Sequence, residues 1–359
     1  MPTLLAITPY PNLSADTRYR VSQFIPALNK AGWKVTVRPF MSERLFQIYN
    51  RPGMIIEKTL STLRSLSSRM FDLAAGDYDA ILLHKEAFPF GPPILEKVLK
   101  NKVSLLIYDM DDAFWAHPHQ FKQIGSRFRD PERIAKMIGL STHILAGNEF
   151  LADYAKKYNS SVTVFPTVLD TERYIPREEI DDEIATIGWV GRWSSEAYLA
   201  NLFPVFQQLT LKYPNIEFKF IGATPDAFPS SFPVKAVPWR LESEIEDIAS
   251  LDIGIMPLPD DEYSRGKCGF KLLQYMALGI PAVASPVGVN SQIIHDGING
   301  FLAINDREWV GKLSQLIEDK SKRFEVGMKG RQTVEEKYSL SMAAPILLNI
   351  LDSVSGRKK

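Results

Sequence analysis

Cysteine is almost absent from this sequence. Cys268 is the only one in 359 residues, which excludes an intramolecular disulfide and a Cys-rich zinc site and fits a reducing compartment. Long hydrophobic runs are missing as well: no apolar stretch approaches the roughly 20 residues a spanning helix needs. The opening segment MPTLLAIT has no basic n-region of the kind a signal peptide carries. The expectation is a soluble protein of the cytoplasm, or one peripheral at the inner face of the membrane. Nor does one sign of charge dominate. Lys plus Arg and Asp plus Glu each number 42, so no net field recruits nucleic acid, and any basic site is a local patch. Neither a repeat of solenoid period nor a low-complexity tract is present.

What remains is ordinary globular composition, 45% hydrophobic and 23% charged, in a chain long enough for two domains of roughly 150 residues each. Short aliphatic or β-branched runs alternate with helical patterns, as parallel sheets built from βαβ crossovers require. In the first half the strand candidates are Thr3–Thr8, Lys34–Arg38, Asp79–His84, Val103–Asp109, His143–Ala146 and Val162–Phe165. Val21, Phe24, Ile25 and Leu28 fall at helical spacing before Gly32, which marks a helix end. The rhythm restarts with Ala185–Val190, Ile216–Gly222, Val234–Val237, Asp252–Met256 and Ala282–Ser285, with helices near Ser195–Tyr213, Glu242–Ser250 and Phe270–Leu278. Pro166–Glu183, polar and bracketed by prolines, reads as the interdomain linker. The expected domains are therefore 1–168, with a terminal helix from about 341 to 359 crossing back to it, and 169–340.

One insertion, Met41–Gly76, is much longer than a usual crossover. Arg44, Arg51, Lys58, Arg64 and Arg69 are interleaved there with Leu45, Ile48, Ile55, Leu63, Leu66 and Phe71. The pattern fits two surface helices capping the first domain, and it also admits peripheral membrane contact.

Two stretches carry chemistry. In Arg265–Asn290, Gly266 and Gly269 let backbone approach a ligand, the following helix presents free amides, and Lys267 and Lys271 add positive charge, so a phosphate fits. The same stretch also reads as an ordinary strand-to-helix loop. In Gly188–Leu199 the tip Gly191-Arg192-Trp193 follows a strand at the end where doubly wound sheets bind ligands, and arginine offers a bidentate fork to phosphate. Alternatively, Arg192 is a surface arginine beside a packed Trp193.

Together these stretches resemble the C-terminal domain of family 4 GT-B glycosyltransferases. KLLQYMALGIPAVAS looks like the family's helix-and-strand signature, and PVGVNSQIIHDGINGFLA like the loop after it. In the first half, SADTRYRVSQFIPALNKAGWKVTV, LAGNEFLADYAKKY and FPTVLDTERY resemble the matching blocks of a bacterial cell-surface glycan branch, so the likeness covers nearly the whole chain. It implies an α/β protein of the GT-B fold, with two Rossmann-like domains whose parallel sheets face a central cleft. The implied activity is transfer of a sugar from a nucleotide-diphosphate donor to a glycan, lipid-linked or small-molecule acceptor, with retention of configuration. No metal and no cofactor are implied.

By resemblance Arg192 neutralises the diphosphate and Lys271 assists it, Gly191, Trp193, Lys267, Gly269 and Phe270 line the donor site, and Gln274 stands where a ribose-binding glutamate is common. The family's paired glutamates, with seven residues between them, fall here at Gly266 and Gln274, so neither carboxylate is present. A lysine common five residues after the loop arginine falls at Ala197, which leaves Lys267 or Lys271 to supply the second charge. These departures sustain two rival readings: an inactive nucleotide-sugar-binding subunit, and a GT-B nucleotide-sugar epimerase, which needs carboxylates and a histidine.

In Ile107–His119 a strand runs out into Asp109, Asp111 and Asp112. Asp112 and His117 are candidates to orient donor or acceptor hydroxyls, and capping and loop hydrogen bonds account for the aspartates equally well. Arg18 and Arg20 either guide a phosphate-bearing acceptor or lie on the exposed face of their helix.

Overall fold

The computed structural model describes residues 1–74, 77–88, 91–116, 130, 132–176, 185–224, 228 and 232–353, with the side chains of 72–74, 193 and 194 outside the description. The chain divides into two compact units: Met1–Thr167 with Leu340–Lys359, and Val168–Ser339.

The first unit is built on strands β1 (Thr3–Thr8), β2 (Lys34–Pro39), β3 (Ala80–His84), β4 (Leu105–Met110), β5 (His143–Ala146) and β6 (Val162–Val164), ordered β2-β1-β3-β4-β5-β6. Every described pairing is parallel. β3 and β4 are buried along their whole length, as strands covered by helices on both faces must be. The helix expected from Val21 to Leu28 is broken into a 3₁₀ turn, Ser22–Phe24, and the α-helix Ile25–Lys30. Pro26 has no N–H to give to Ser22, so a continuous ladder cannot pass through it. Gly32 ends the helix at φ 91°, with the Trp33 amide reaching back to the Leu28 carbonyl at 3.0 Å.

The terminal helix Leu340–Asp352 packs on Ile25–Lys30 within this unit. Leu347 and Leu351 are buried, and the Trp33 indole N–H donates to Asp352 at 3.3 Å. The described part of the Met41–Gly76 insertion contains two helices, Glu43–Ile48 and Ile55–Ala74.

The second unit repeats the plan with β7 (Ala185–Val190), β8 (Ile216–Ile221), β9 (Val234–Val237), β10 (Ile253–Met256), β11 (Ala282–Ala284) and β12 (Phe301–Leu302), ordered β12-β11-β10-β7-β8-β9. β12 was not expected: two residues are too few to show a strand pattern. The helix expected over Ser195–Tyr213 is split by the same physics as the first, since Pro204 opens a fresh helix, Phe203–Lys212.

The supposed linker needs correction in its described part. Val168, Leu169 and Tyr174 are buried, the Leu169 amide donates to the Tyr338 carbonyl at 2.9 Å, and Arg331 holds the Thr171 carbonyl at 2.9 Å and the Tyr174 carbonyl at 2.5 Å. Polar neighbours hid three core residues, and the arginine supplies their carbonyls with donors.

Candidate active site

In the second unit the strand order reverses between β7 and β10. In doubly wound sheets the crevice outside the carboxyl ends of the strands at such a point receives the ligand. Glycine creates the packing that furnishes it. A Cβ on Gly254 would lie 2.4 Å from the Tyr275 ring, so its absence lets the helix Phe270–Ala277 settle onto β10. The Tyr275 hydroxyl then accepts the Val190 amide at 2.9 Å. Lys271 is one turn earlier on the same helix face, and so arrives at the end of β7.

There its ammonium stands 4.3 Å from the centre of the Trp189 ring and donates to Ser195 Oγ at 3.2 Å. A Cβ on Gly191 would meet the Trp189 ring at 2.2 Å and the Lys271 ammonium at 2.8 Å, so only glycine admits this arrangement. Gly269, at φ 69°, caps the start of the Lys271 helix, and a Cβ on it would lie 2.4 Å from Ile293.

Among the described residues Lys271 has no carboxylate partner. Burial strips water from its ammonium and the nearby Lys267 charge opposes it, and together they bring its pKa down to about 7. An unbalanced, partly dehydrated cation at a ligand-binding strand end is suited to an anion.

Of the residues named from sequence, Gly191, Lys271 and Gly269 are gathered here. Arg192 caps the short helix Trp193–Glu196, directly beyond Gly191. Lys267 lies over the Tyr263 ring at 4.4 Å, and Phe270 opens the Lys271 helix. The Trp193 side chain lies outside the described residues. Gln274 is turned inward, 1% exposed, with its amide 3.4 Å from the Tyr174 hydroxyl. Ser195 and Tyr275 are the partners that sequence reading did not single out. Serine at a helix start looks like a cap, and the tyrosine was hidden among apolar core residues.

The first unit has its own cluster at the ends of β1, β3 and β4. One of the two readings of Arg20 requires a correction: it does not sit on an exposed face. It is 2% exposed, ion-paired with Asp109 and bonded to the Phe165 carbonyl at 2.9 Å. Asp109 also meets His84 Nδ1 at 2.7 Å. Burial alone would raise the Asp109 carboxyl, but Arg20 and His84 outweigh it and hold its pKa at about 2.

Lys85, in the left-handed region at φ 63°, contacts Asp16 and lies 3.4 Å from Asp111 and 4.0 Å from Asp112. Burial would lower its pKa, and these carboxylates raise it well above the usual lysine range. Asp16, His84 and Asp111 offer ligand atoms within 4.8 Å of one another, but the lysine already supplies a cation to both carboxylates. Arg18 donates to the Leu13 carbonyl at 2.9 Å, and His117 lies outside the described residues.

Two parallel six-stranded sheets with flanking helices define the GT-B fold of glycosyltransferases. Sucrose-phosphate synthase from Thermosynechococcus elongatus superposes with a TM-score of 0.75 over 100% of both chains at 14% identity. Anabaena HepE, solved with UDP and glucose, gives 0.64 over 98% of this chain and 100% of its own at 14% identity. Residues 184–319 match the family described as Glycosyl transferases group 1, and that segment contains the Gly191–Lys271 site. Trehalose synthase from Pyrococcus horikoshii is 22% identical over 198 residues, covering 51% of this chain and 48% of that relative; the match spans about half its length. The structural matches show the GT-B fold over the whole chain, and the family match covers the segment of the second unit that holds this site.

Proposed function

We propose that this chain is a retaining glycosyltransferase of family 4 type that binds the diphosphate of a nucleotide-sugar donor at Gly191, Arg192 and Lys271. The unbalanced Lys271 ammonium at the β7 end carries this reading. Anabaena HepE, whose structure contains UDP and glucose, lends support. The first unit then receives the acceptor, a glycan, a lipid-linked sugar or a small molecule, with Asp112 and His117 orienting hydroxyls and Arg18 nearby. In this reading any contact with a membrane is peripheral; no described helix is long and apolar enough to cross one.

The bond between the sugar's anomeric carbon and the diphosphate breaks while the acceptor oxygen attacks from the same face. The acceptor proton passes to the leaving diphosphate oxygen. Arg192, Lys271, Lys267 and the amides at the helix start stabilise the growing negative charge. Neither a protein nucleophile nor a metal has a role, and no cofactor enters beyond the donor.

A nucleotide-sugar panel assayed for nucleoside-diphosphate release, with NMR of the product's anomeric proton, tests the proposal. Turnover of one donor with retained configuration is expected. An inverted product would overturn retention, and nucleotide binding without turnover on any acceptor would favour a binding subunit.

A further inference from the structure

The helix Ile55–Ala74 is amphipathic with its faces reversed. At about 3.6 residues per turn, Ile56, Leu60, Leu63 and Met70 form one stripe with Phe71 at its edge, and these side chains are 78%, 51%, 54%, 50% and 73% exposed. The opposite face carries Ser65 and Arg69, 9% and 1% exposed. Arg69 fastens the helix to its unit by donating to the Arg38 carbonyl at 3.0 Å and the Thr8 carbonyl at 3.3 Å. The adjacent helix Glu43–Ile48 does the opposite, burying Leu45 and Ile48 against Phe40 and Met41. Among the described residues, nothing covers the apolar side of this helix, which a cation holds to its unit.

We propose that this stripe docks on the surface of an anionic lipid bilayer, with the helix lying in the headgroup plane. Charge selects this occupant. Arg64 is exposed at the edge of the stripe and Arg51 is exposed shortly before the helix begins, and Glu57, in the first turn of the helix, is paired with Arg44 at 2.7 Å. Size argues against a second copy: a ridge about 30 Å long and about 10 Å wide offers roughly 300 Å², short of the roughly 800 Å² that each partner buries in a stable protein pair. The anchoring carbonyls of Thr8 and Arg38 lie at the carboxyl ends of β1 and β2, the side on which such sheets receive ligands. Docking therefore brings the strand ends of the first unit to the lipid surface, where a lipid-linked acceptor would be met; that consequence rests on the proposed function, and the docking does not.

Co-sedimentation of the full chain with vesicles of phosphatidylglycerol and phosphatidylcholine in equal parts tests this, with phosphatidylcholine alone as the control. The wild type is expected to bind the anionic vesicles and to bind less at about 1 M salt, where charges are screened beyond about 3 Å. The triple variant Leu60→Ser, Leu63→Ser, Phe71→Ser is expected to bind at least about tenfold more weakly, with its melting temperature and its stabilisation by nucleoside diphosphate unchanged. Wild type that ignores anionic vesicles, or a variant that binds them equally well, overturns the proposal. So does a wild-type dimer, seen by light scattering, that the triple variant dissolves. Vesicle binding needs no nucleotide, so failure of nucleotides to stabilise the protein would count against the proposed function alone.

Discussion

The Lys271 ammonium stands 4.3 Å from the centre of the Trp189 indole, and its remaining described partner, Ser195, is uncharged. The ring's negative face attracts the cation but does not neutralise it. With a pKa of about 7, the lysine is close to half charged at neutral pH, and a bound diphosphate raises that pKa again. Below about pH 7 nucleotide affinity is at its full value. Above it each binding event takes up a proton, so affinity falls toward about tenfold per pH unit until the raised pKa is reached. Calorimetry in two buffers of different ionisation enthalpy reads this uptake, and its absence between about pH 7 and 8 would count against Lys271 as the diphosphate ligand.

The same shift has a consequence for stability. The lysine pKa falls from 10.5 to about 7 on folding, so its charged form burdens the fold. The burden is fully present below about pH 7 and lifts as pH rises toward the unfolded value. Lys271→Met is expected to melt higher than wild type near pH 6 and to lose stabilisation by nucleoside diphosphate. A lower melting temperature would mean that the lysine stabilises the fold.

Arg192→Ala and Lys271→Ala are each expected to raise the transfer barrier by about 2–4 kcal/mol while leaving folding intact. Lys271→Arg should not restore activity, because a planar fork does not replace a compact ammonium in the space Gly191 leaves. Steady-state kinetics on variants that melt no lower than wild type check both.

Gly222 is held at φ 81°, where a Cβ would lie 2.1 Å from the Gly191 carbonyl oxygen. Gly222→Ala is expected to destabilise the protein by about 1–3 kcal/mol or more from backbone strain and this clash. Gly191→Ala should instead weaken nucleotide binding more than it lowers stability, since its Cβ displaces Trp189 and Lys271. Denaturation and nucleotide titration of the two variants separate the effects.

Much of this was legible in the sequence, because strands buried on both faces read as short apolar runs and each element is local. Eleven of the 12 described strands begin and end within two residues of where their apolar runs place them, and β1, β5, β7 and β9 coincide throughout. The loops carrying Gly191 and Lys271 could likewise be found from glycines and cations beside strand ends. What brings them together could not, since the Gly254–Tyr275 contact is a packing fact between residues that look like ordinary core. Arg20 was misplaced for a related reason: its partner Asp109 is 89 residues away, and a helix pattern does not reveal which polar residue turns inward.

That buried pair gives a further prediction. Asp109→Asn leaves Arg20 without its counter-charge and is expected to cost about 3–5 kcal/mol, whereas Arg20→Met with Asp109→Leu should recover part of the loss. Asp109 has a folded pKa of about 2, below its ordinary carboxylate value. Its contribution is therefore present above about pH 4 and is lost as pH falls toward 2. Chemical denaturation of wild type and the Asn variant across that window should converge at the acid end.

The most direct measurement is isothermal titration of nucleoside diphosphates into wild type and Lys271→Ala at about pH 6.5, where the lysine is mostly charged. One nucleoside diphosphate should bind wild type at a single site and bind the variant at least about tenfold more weakly, as loss of a charge-assisted contact of about 1.5–3 kcal/mol requires. Equal affinity for both proteins, or no binding of any nucleotide to wild type, would contradict the assignment of this site to the donor.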